Sequence, residues 1–431
     1  MPGVRCPVLE WAASGAMALT GRPDGAPVFS PAPVLAMLGA VTDQLAQVTG
    51  QTGTAVRTDP AELLTGRAGL AGFRRGGRVS AGGASRLLRS ADGWCAVTLS
   101  RPEDVGSVPA ILGTLGLDMP GFGADAWAAL DAAARLLPAD DLAGAAQLLA
   151  VPAAALPANP PAGSPPVTPW RTTRIAAPSP PAKLAGAVVA DLSSMWAGPL
   201  CAHLLGLAGA EVIKVESASR PDGARSGDPR FFDWLHAGHR SLLTDFQTES
   251  GRAALAALLD AADVVIEASR PRVLANLGLA PEVIRHRDGQ VWLSITGYGR
   301  GEPGRVAFGD DAAVAGGLVG WDAGDPVFCA DAIADPLTGV YGALAVAHSV
   351  AAGGGQLIDL SMRETARAFA AAPPPDHGPH QVCPDGTGWR VTCPRLLEER
   401  PVLPPLCPVP AGSGPAIGQD TTAVLGWLGG C

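Results

Sequence analysis

Between residues 184 and 300 the apolar positions follow two alternating periods. AVVADL (187–192), EVIKVE (211–216), DVVIEA (263–268) and VWLSITGYG (291–299) are short, β-branched apolar runs of strand length, the last ending in a glycine-rich turn. Two stretches between them carry helical spacing. In AGPLCAHLLGLAG (197–209), Pro199 suits a first helical turn, where its missing N–H costs nothing; in SGRAALAALLDAA (250–262), Ser250 is the expected N-cap. Strand–helix–strand alternation with short turns predicts parallel strands joined by right-handed crossovers, a doubly wound sheet. The first 150 residues are Ala-rich and mixed, with one strand-like stretch, WCAVTLS (94–100), after a turn at Asp92–Gly93.

Proline divides the chain. LPANPPAGSPPVTPWRTTRIAAPSPPA (156–182) lacks many amide donors and is expected to run as an extended surface linker. A second Pro-rich stretch, 373–415, is expected to be loop or poorly ordered. There is also an internal echo. Residues 14–40 resemble 315–343, and aligning their Pro-Val-Phe triplets sets Ala36 opposite Asp335, as though one copy of a duplication kept a carboxylate and the other lost it. Chance similarity in a biased composition is the alternative.

Composition narrows the class. The chain has 431 residues, 47% hydrophobic, enough for two domains, and 55 Gly with 41 Pro weaken any argument from a single glycine or proline. A net charge of −9 without a basic block argues against nucleic acid as partner. The eight cysteines are scattered without CxxC pairs, which reads as reduced thiols in a cytoplasmic protein. The N-terminus lacks a signal-type apolar region, and no run of about 18 apolar residues suggests a membrane span.

In an open parallel sheet, ligands bind beyond the carboxyl ends of the strands. That rule gathers Ser193–Pro199, Glu216–Arg220, Ser269–Arg272 and Thr296–Arg300 around one crevice. Arg220, Arg225, Arg270 and Arg272 lie in or near those turns and favour a phosphate-bearing ligand, although each alone is equally well a solvated surface residue. Glu216 stands where a ribose-binding acid would sit. The first turn, however, reads DLSSMWAGP without GxGxxG, which disfavours a nucleotide-dependent dehydrogenase. His377, His380 and Cys383 in HGPHQVC have metal-like spacing with Cys393 as a fourth ligand, but no closing pair follows and no metal is expected. His236 and His239 read as a surface turn, with substrate contact as the alternative.

DLSSMWAGPLCAHLLGLAGAEVIKVE, GDPR (227–230), HAGHRSLLTDF (236–246), ADVVIEASRP, SITGYG, ADAIADPLTGVYGALAV and GGGQLIDLSM together resemble the class III (formyl-CoA transferase-like, CaiB/BaiF) CoA-transferases, and PAIGQDTTAVLGWLGG (415–430) is similar to the family's ending. GGRVSAGGASRLLRSADGWCAV (76–97) is similar to its glycine loop and the start of its small domain, which here precedes the main half. The resemblance implies an α/β fold, a doubly wound (Rossmann-like) parallel sheet with a second, smaller α+β domain. It divides the chain into a partial first copy with a small-domain-like region (1–155), a Pro-rich linker (156–183), a Rossmann-like half (184–370) and a Pro-rich tail with a family-like segment (371–431).

The resemblance implies that Asp335 is the nucleophile carrying CoA between an acyl-CoA and a carboxylic acid, through a mixed anhydride and an enzyme–CoA thioester. The competing reading of Asp335 is a helix N-cap with Pro336 at the first helical position, and Asp331 reads as a loop residue. The resemblance further implies CoA contacts at Met195, Trp196, Ala197, Gly198, Ser217, Arg220, Thr244, Gln247, Ala268, Ser269, Arg270 and Arg272. Oxyanion or substrate-loop roles fall to Gly76, Gly77, Gly82 and Gly83, with Gly339 leaving room for the thioester. Ser217, Trp196, Gln247 and Ala268–Ser269 depart from the family's usual residues, so a catalytically silent CoA-binding or partner subunit is the alternative. A related racemase activity would need a histidine where Gly309–Asp310–Asp311 has none. The expected partners are an acyl-CoA, a carboxylic acid and a second copy in an intertwined homodimer, with coenzyme A as the thioester cofactor and no nucleic acid or membrane.

Overall fold

The computed structural model describes residues 5–117, 125–158, 168–180, 182–373 and 376–430. The chain opens with three helices: α1 (Pro7–Ala13), α2 (Val34–Thr52) and α3 (Pro60–Ala71). A small α+β unit follows. Strands β1 (Ser85–Arg89), β2 (Trp94–Thr98) and β3 (Ala153–Ala155) form an antiparallel sheet in that order, packed on helices that include α4 (Ala126–Ala134) and α5 (Ala139–Leu148). Its core of Val97, Ile111, Leu130 and Leu142 is separate from the main core.

The main sheet has seven strands. β4 (Trp170–Arg174), β5 (Val188–Asp191), β6 (Glu211–Glu216), β7 (Arg240–Leu243), β8 (Val264–Glu267), β9 (Val291–Thr296) and β12 (Gln356–Ser361) are arranged as β4-β12-β9-β8-β5-β6-β7. All pairs are parallel except β4 on β12. Strand order runs outward in both directions from β5 and β8, so the topological switch point lies between them. Helices α6 (Ala197–Leu207), α7 (Pro229–His236) and α8 (Glu249–Ala261) connect the first strands. After β9 come α9 (Gly309–Ala315), the β10–β11 hairpin (Gly320–Asp322, Asp325–Val327), α10 (Ala334–Ala351), β12 and α11 (Met362–Ala370). The strands are apolar on both sides because both faces are covered: α6 and α10 on one, α8 on the other.

Three expectations need correction. Thr248, not Ser250, caps α8, accepting from the Gly251 amide at 3.0 Å. The Pro-rich linker contains β4: WRTTR is free of proline, and it pairs with β12 as an edge strand, where one unpaired side is tolerated. The second Pro-rich stretch contains an antiparallel sheet of β13 (Gln381–Asp385), β14 (Gly388–Cys393) and β15 (Glu398–Pro401), with Pro384 one residue from the end of β13 and Pro401 ending β15. Beyond it α12 (Thr421–Gly430) lies along α8 and β7.

The internal echo has a structural counterpart. With the Pro27–Phe29 and Pro326–Phe328 triplets aligned, α2 lies over residues 333–351, and α10 spans Ala334–Ala351. The two helices pack on each other, and Val28 N–H donates to Thr20 in a turn that matches the β10–β11 hairpin. Ala36 is exposed. No helix among the described residues is long and apolar enough to cross a membrane.

Candidate active site

α10 begins at the carboxyl end of the sheet. Its approach is bent by two non-glycine residues in the left-handed region, Ala330 (φ 53°) and Ala332 (φ 41°). The α10 N-cap is Ile333, which places Asp335 inside the first turn rather than at the cap. The simple capping role is thereby corrected: the Asp335 carboxylate faces Gly309, not its own helix end. A Cβ on Gly309 would lie 2.4 Å from an Asp335 carboxylate oxygen, so only glycine lets the chain approach this closely.

Asp335 has Asp310 and Asp331 as acidic neighbours, with Asp311 beside Asp310, and all three are already engaged. Asp331 is fully buried and receives both arms of the Arg67 guanidinium, at 2.8 and 2.6 Å. Asp310 accepts from Ser85 Oγ and the Ala332 amide, both at 3.0 Å. Asp311 accepts from Thr98 Oγ1 at 3.1 Å and the Phe308 amide at 2.9 Å. Only Asp335 is partly exposed; the other three are buried. Burial pushes its carboxyl up to about 7, against the pull of Arg67, and Asp310 and Asp331 add like charge. Burial likewise raises Asp310 to about 6 and Asp311 to about 8. Arg67 is stacked over Trp196, 5.1 Å from the ring centroid; burial opposes its charge, and Asp331 more than restores it.

The neighbouring turn after β5 is held from beneath. Fully buried Lys214 pairs with Asp222 at 2.8 Å and Asp191 at 3.6 Å and donates to the Ser193 carbonyl. Asp222 in turn accepts from the Met195 amide at 2.9 Å, fixing Met195 at φ 73°. Gly198 faces the Ser193 side chain, and its Cβ direction reaches Ala268 after β8 at 3.7 Å, so the two turns meet at the switch point. There Arg270 buries an Nη1 with no hydrogen-bond partner. Burial, then the charges of Arg272, Arg220 and Arg101, lower its pKa. None of these four arginines forms a salt bridge among the described residues, which leaves a concentrated positive field at the crevice.

Residues 184–395 match the model of CoA-transferase family III. This segment belongs to that family. The chain is 31% identical over 248 residues to a succinate–glutarate CoA-transferase of Agrobacterium fabrum, covering 48% of this chain and 62% of the relative. It is 34% identical over 200 residues to a succinyl-CoA–L-malate CoA-transferase beta subunit of Chloroflexus aurantiacus, covering 42% and 49%. A crystal structure of a CAIB/BAIF family protein from Brucella suis is 27% identical, with a TM-score of 0.44, over 50% of this chain and 66% of that one. The chain thus spans about half to three-fifths of the length of these curated relatives.

Within the family III segment, the structure sorts the expected contacts. Met195, Trp196, Ala197, Gly198, Ala268, Ser269 and Arg270 come together at the switch point, with Arg272 and Arg220 exposed beside them. Thr244 and Gln247 lie beyond β7, two strands from β5; Thr244 is engaged with the Gly251 carbonyl at 3.1 Å and Gln247 is exposed. Ser217 is buried, bonded to Ser219 at 3.0 Å. Arg225 does not join the free arginines, because it holds Glu216 bidentately at 2.9 and 2.6 Å. Of the glycine loop, Gly82 lies beside Arg67 (3.5 Å from its Cβ position), whereas Gly77 accepts from the Phe328 amide, just after β11, at 3.0 Å and Gly76 accepts from the Val79 amide at 3.1 Å. Gly339 leaves no room for a thioester: its Cβ direction points into α6, 2.7 Å from the Ala197 carbonyl. His236 and His239 are no surface turn but are buried in contact, 3.3 Å apart, and burial keeps both neutral, His239 down to about 3. Asp331 is a loop residue, as expected, but a buried and ion-paired one. Arg67, Arg101, Ser85 and Thr98 are partners that sequence reading missed; all come from the first 101 residues, with no local pattern linking them to Asp335.

Proposed function

We propose that the chain moves CoA between an acyl-CoA thioester and a carboxylic acid, with Asp335 as the temporary carrier. The observation that supports this most is that, of four clustered aspartates, Asp335 alone is accessible and not committed to a cation or a hydroxyl. In this reading an Asp335 oxygen attacks the thioester carbonyl, the C–S bond breaks, and a mixed anhydride forms as CoA thiolate leaves. The thiolate attacks the Asp335 carbonyl carbon, releasing the first acid and leaving an enzyme–CoA thioester. The acceptor carboxylate then attacks that thioester, and the returning thiolate takes the new acyl group, restoring the Asp335 carboxylate. No proton is consumed. The carboxylate chemistry explains the residue type, since serine would form an ester that does not return its oxygen to the product acid.

The roles of the remaining groups follow from their placement. Arg270, Arg101, Arg220 and Arg272 offer guanidinium donors to the phosphates of CoA, and Met195–Gly198 line the path between them and Asp335. In this reading Arg67, with the Gly82–Gly83 turn beside it, stabilises the charge that develops on the carbonyl oxygen. The relatives are named for short dicarboxylic acids, so small dicarboxylates are the proposed substrate class.

The test is to incubate the protein with succinyl-CoA, glutaryl-CoA and formyl-CoA, quench with hydroxylamine and map the modified residue by mass spectrometry. Hydroxamate at Asp335 in the wild type, absent in Asp335→Asn together with a loss of transfer of at least ~10³-fold, is the expected result. Tight CoA binding with no modification under any thioester would instead support a silent CoA-binding subunit.

A further inference from the structure

Four sulfur and nitrogen side chains from separate stretches meet where β14 packs against α1. Cys6 is the N-cap residue of α1, Cys393 ends β14, and His377 and His380 precede β13. Cys6 Sγ lies 3.0 Å from His380 Nε2, and Cys393 Sγ lies 3.6 Å from His377 Nδ1. The donor atoms of Cys6, His380 and Cys393 all fall within 4.8 Å of one another. The two imidazoles are stacked, 6.5 Å between centroids. A tetrahedral zinc ion with Zn–S of about 2.3 Å and Zn–N of about 2.0 Å spaces sulfur and nitrogen by roughly 3.5 Å, so these donors need move only slightly to surround one ion.

We propose that Cys6, Cys393, His377 and His380 bind a structural zinc ion that clamps the β13–β15 sheet to α1. The expectation of no metal is thereby revised. The sheet needs such a clamp, because of its residues only Val391 and Cys393 are buried, too little to hold three short strands in place. Two thiols and two neutral imidazoles suit the dication. Binding releases two thiol protons to solvent and leaves an uncharged centre, which a buried location tolerates. Cys6, His377 and Cys393 are 3%, 5% and 0% exposed. Four protein donors leave no open position for water, so the ion is structural rather than catalytic. The HxxHxxC spacing points to the wrong cysteine: Cys383 is exposed on β13, and the ligand that replaces it lies 374 positions before His380.

The experiment is metal analysis of the full chain, purified under reductant and without chelating resin, followed by replacement of the ion with Co²⁺. About one zinc per chain is expected, with tetrahedral cobalt bands and a thiolate-to-cobalt charge-transfer band. Cys6→Ser and His380→Ala should lower metal content at least about tenfold, while Cys383→Ser retains it. The wild-type and Cys383→Ser cobalt spectra decide the matter even if the ligand variants fail to fold. A wild type that takes up neither Zn²⁺ nor Co²⁺, a cobalt spectrum without the thiolate band, metal content unchanged in Cys6→Ser, or a Cys6–Cys393 disulfide that persists and excludes metal would each overturn the proposal.

Discussion

Two demands on the Asp335 carboxyl pull in opposite directions. A nucleophile must be ionised, yet burial and the neighbouring Asp310 and Asp331 favour the protonated form, holding the group up to about 7. Adduct formation at Asp335 should therefore rise with pH through about 7 and then level off. Folding stability should run the other way. Asp335, Asp310 and Asp311 are raised to about 7, 6 and 8 from an ordinary 3.8, so between roughly pH 4 and 8 the folded chain binds more protons than the unfolded one. The contribution of these groups to stability is then complete below about pH 4 and is lost progressively as the pH rises to about 8. Rapid-quench labelling and urea unfolding across that range check both limbs; a labelling rate that is flat from pH 5 to 8 contradicts the assignment.

Among the helices, α10 is placed by its contact with α6, and Gly339 makes that contact possible. Alanine is the better helix former by about 1 kcal/mol, so in an open helix Gly339→Ala would stabilise. Here the added Cβ would meet the Ala197 carbonyl at 2.7 Å and Leu200 Cβ at 3.0 Å. The expected outcome is the opposite sign, a loss of about 1–3 kcal/mol in denaturant unfolding, together with slower labelling of Asp335 as the first turn of α10 shifts. The helices and strands of residues 187–299 were legible because apolar periodicity is a local property. EVIKVE is β6 to the residue, yet nothing in its pattern showed that Lys214 would be an ion-paired cation beneath the β5 turn. The strands in Pro-rich surroundings were hidden for the converse reason: their pairing partners, not their composition, decide them. Asp335 was found through a motif, whereas Arg67 was not, because its partner Asp331 lies 264 positions away.

For the molecule as a whole, the N-terminal segment changes what one chain contains. α2, which has Ala36 where α10 has Asp335, packs against α10, and residues from the first 101 positions complete the surroundings of the aspartates. The proposed site therefore has both its parts in one chain, whatever the oligomeric state. Arg67→Ala and Asp335→Asn chains, co-expressed and co-purified, should not complement each other in the transfer assay. Recovery of about a quarter or more of wild-type activity would mean that Arg67 acts across a subunit boundary. The outer edge of β7 has a further consequence. Its Ser241 and Leu243 amides are met by Asp420 and Thr421, at 2.8 and 3.0 Å. Asp420 is translated 179 residues after Ser241, so on the ribosome that flank of the sheet stays open while those residues are added. An unpaired strand flank invites adventitious partners, which makes nascent chains stalled before residue 420 the form of this protein most in need of a chaperone.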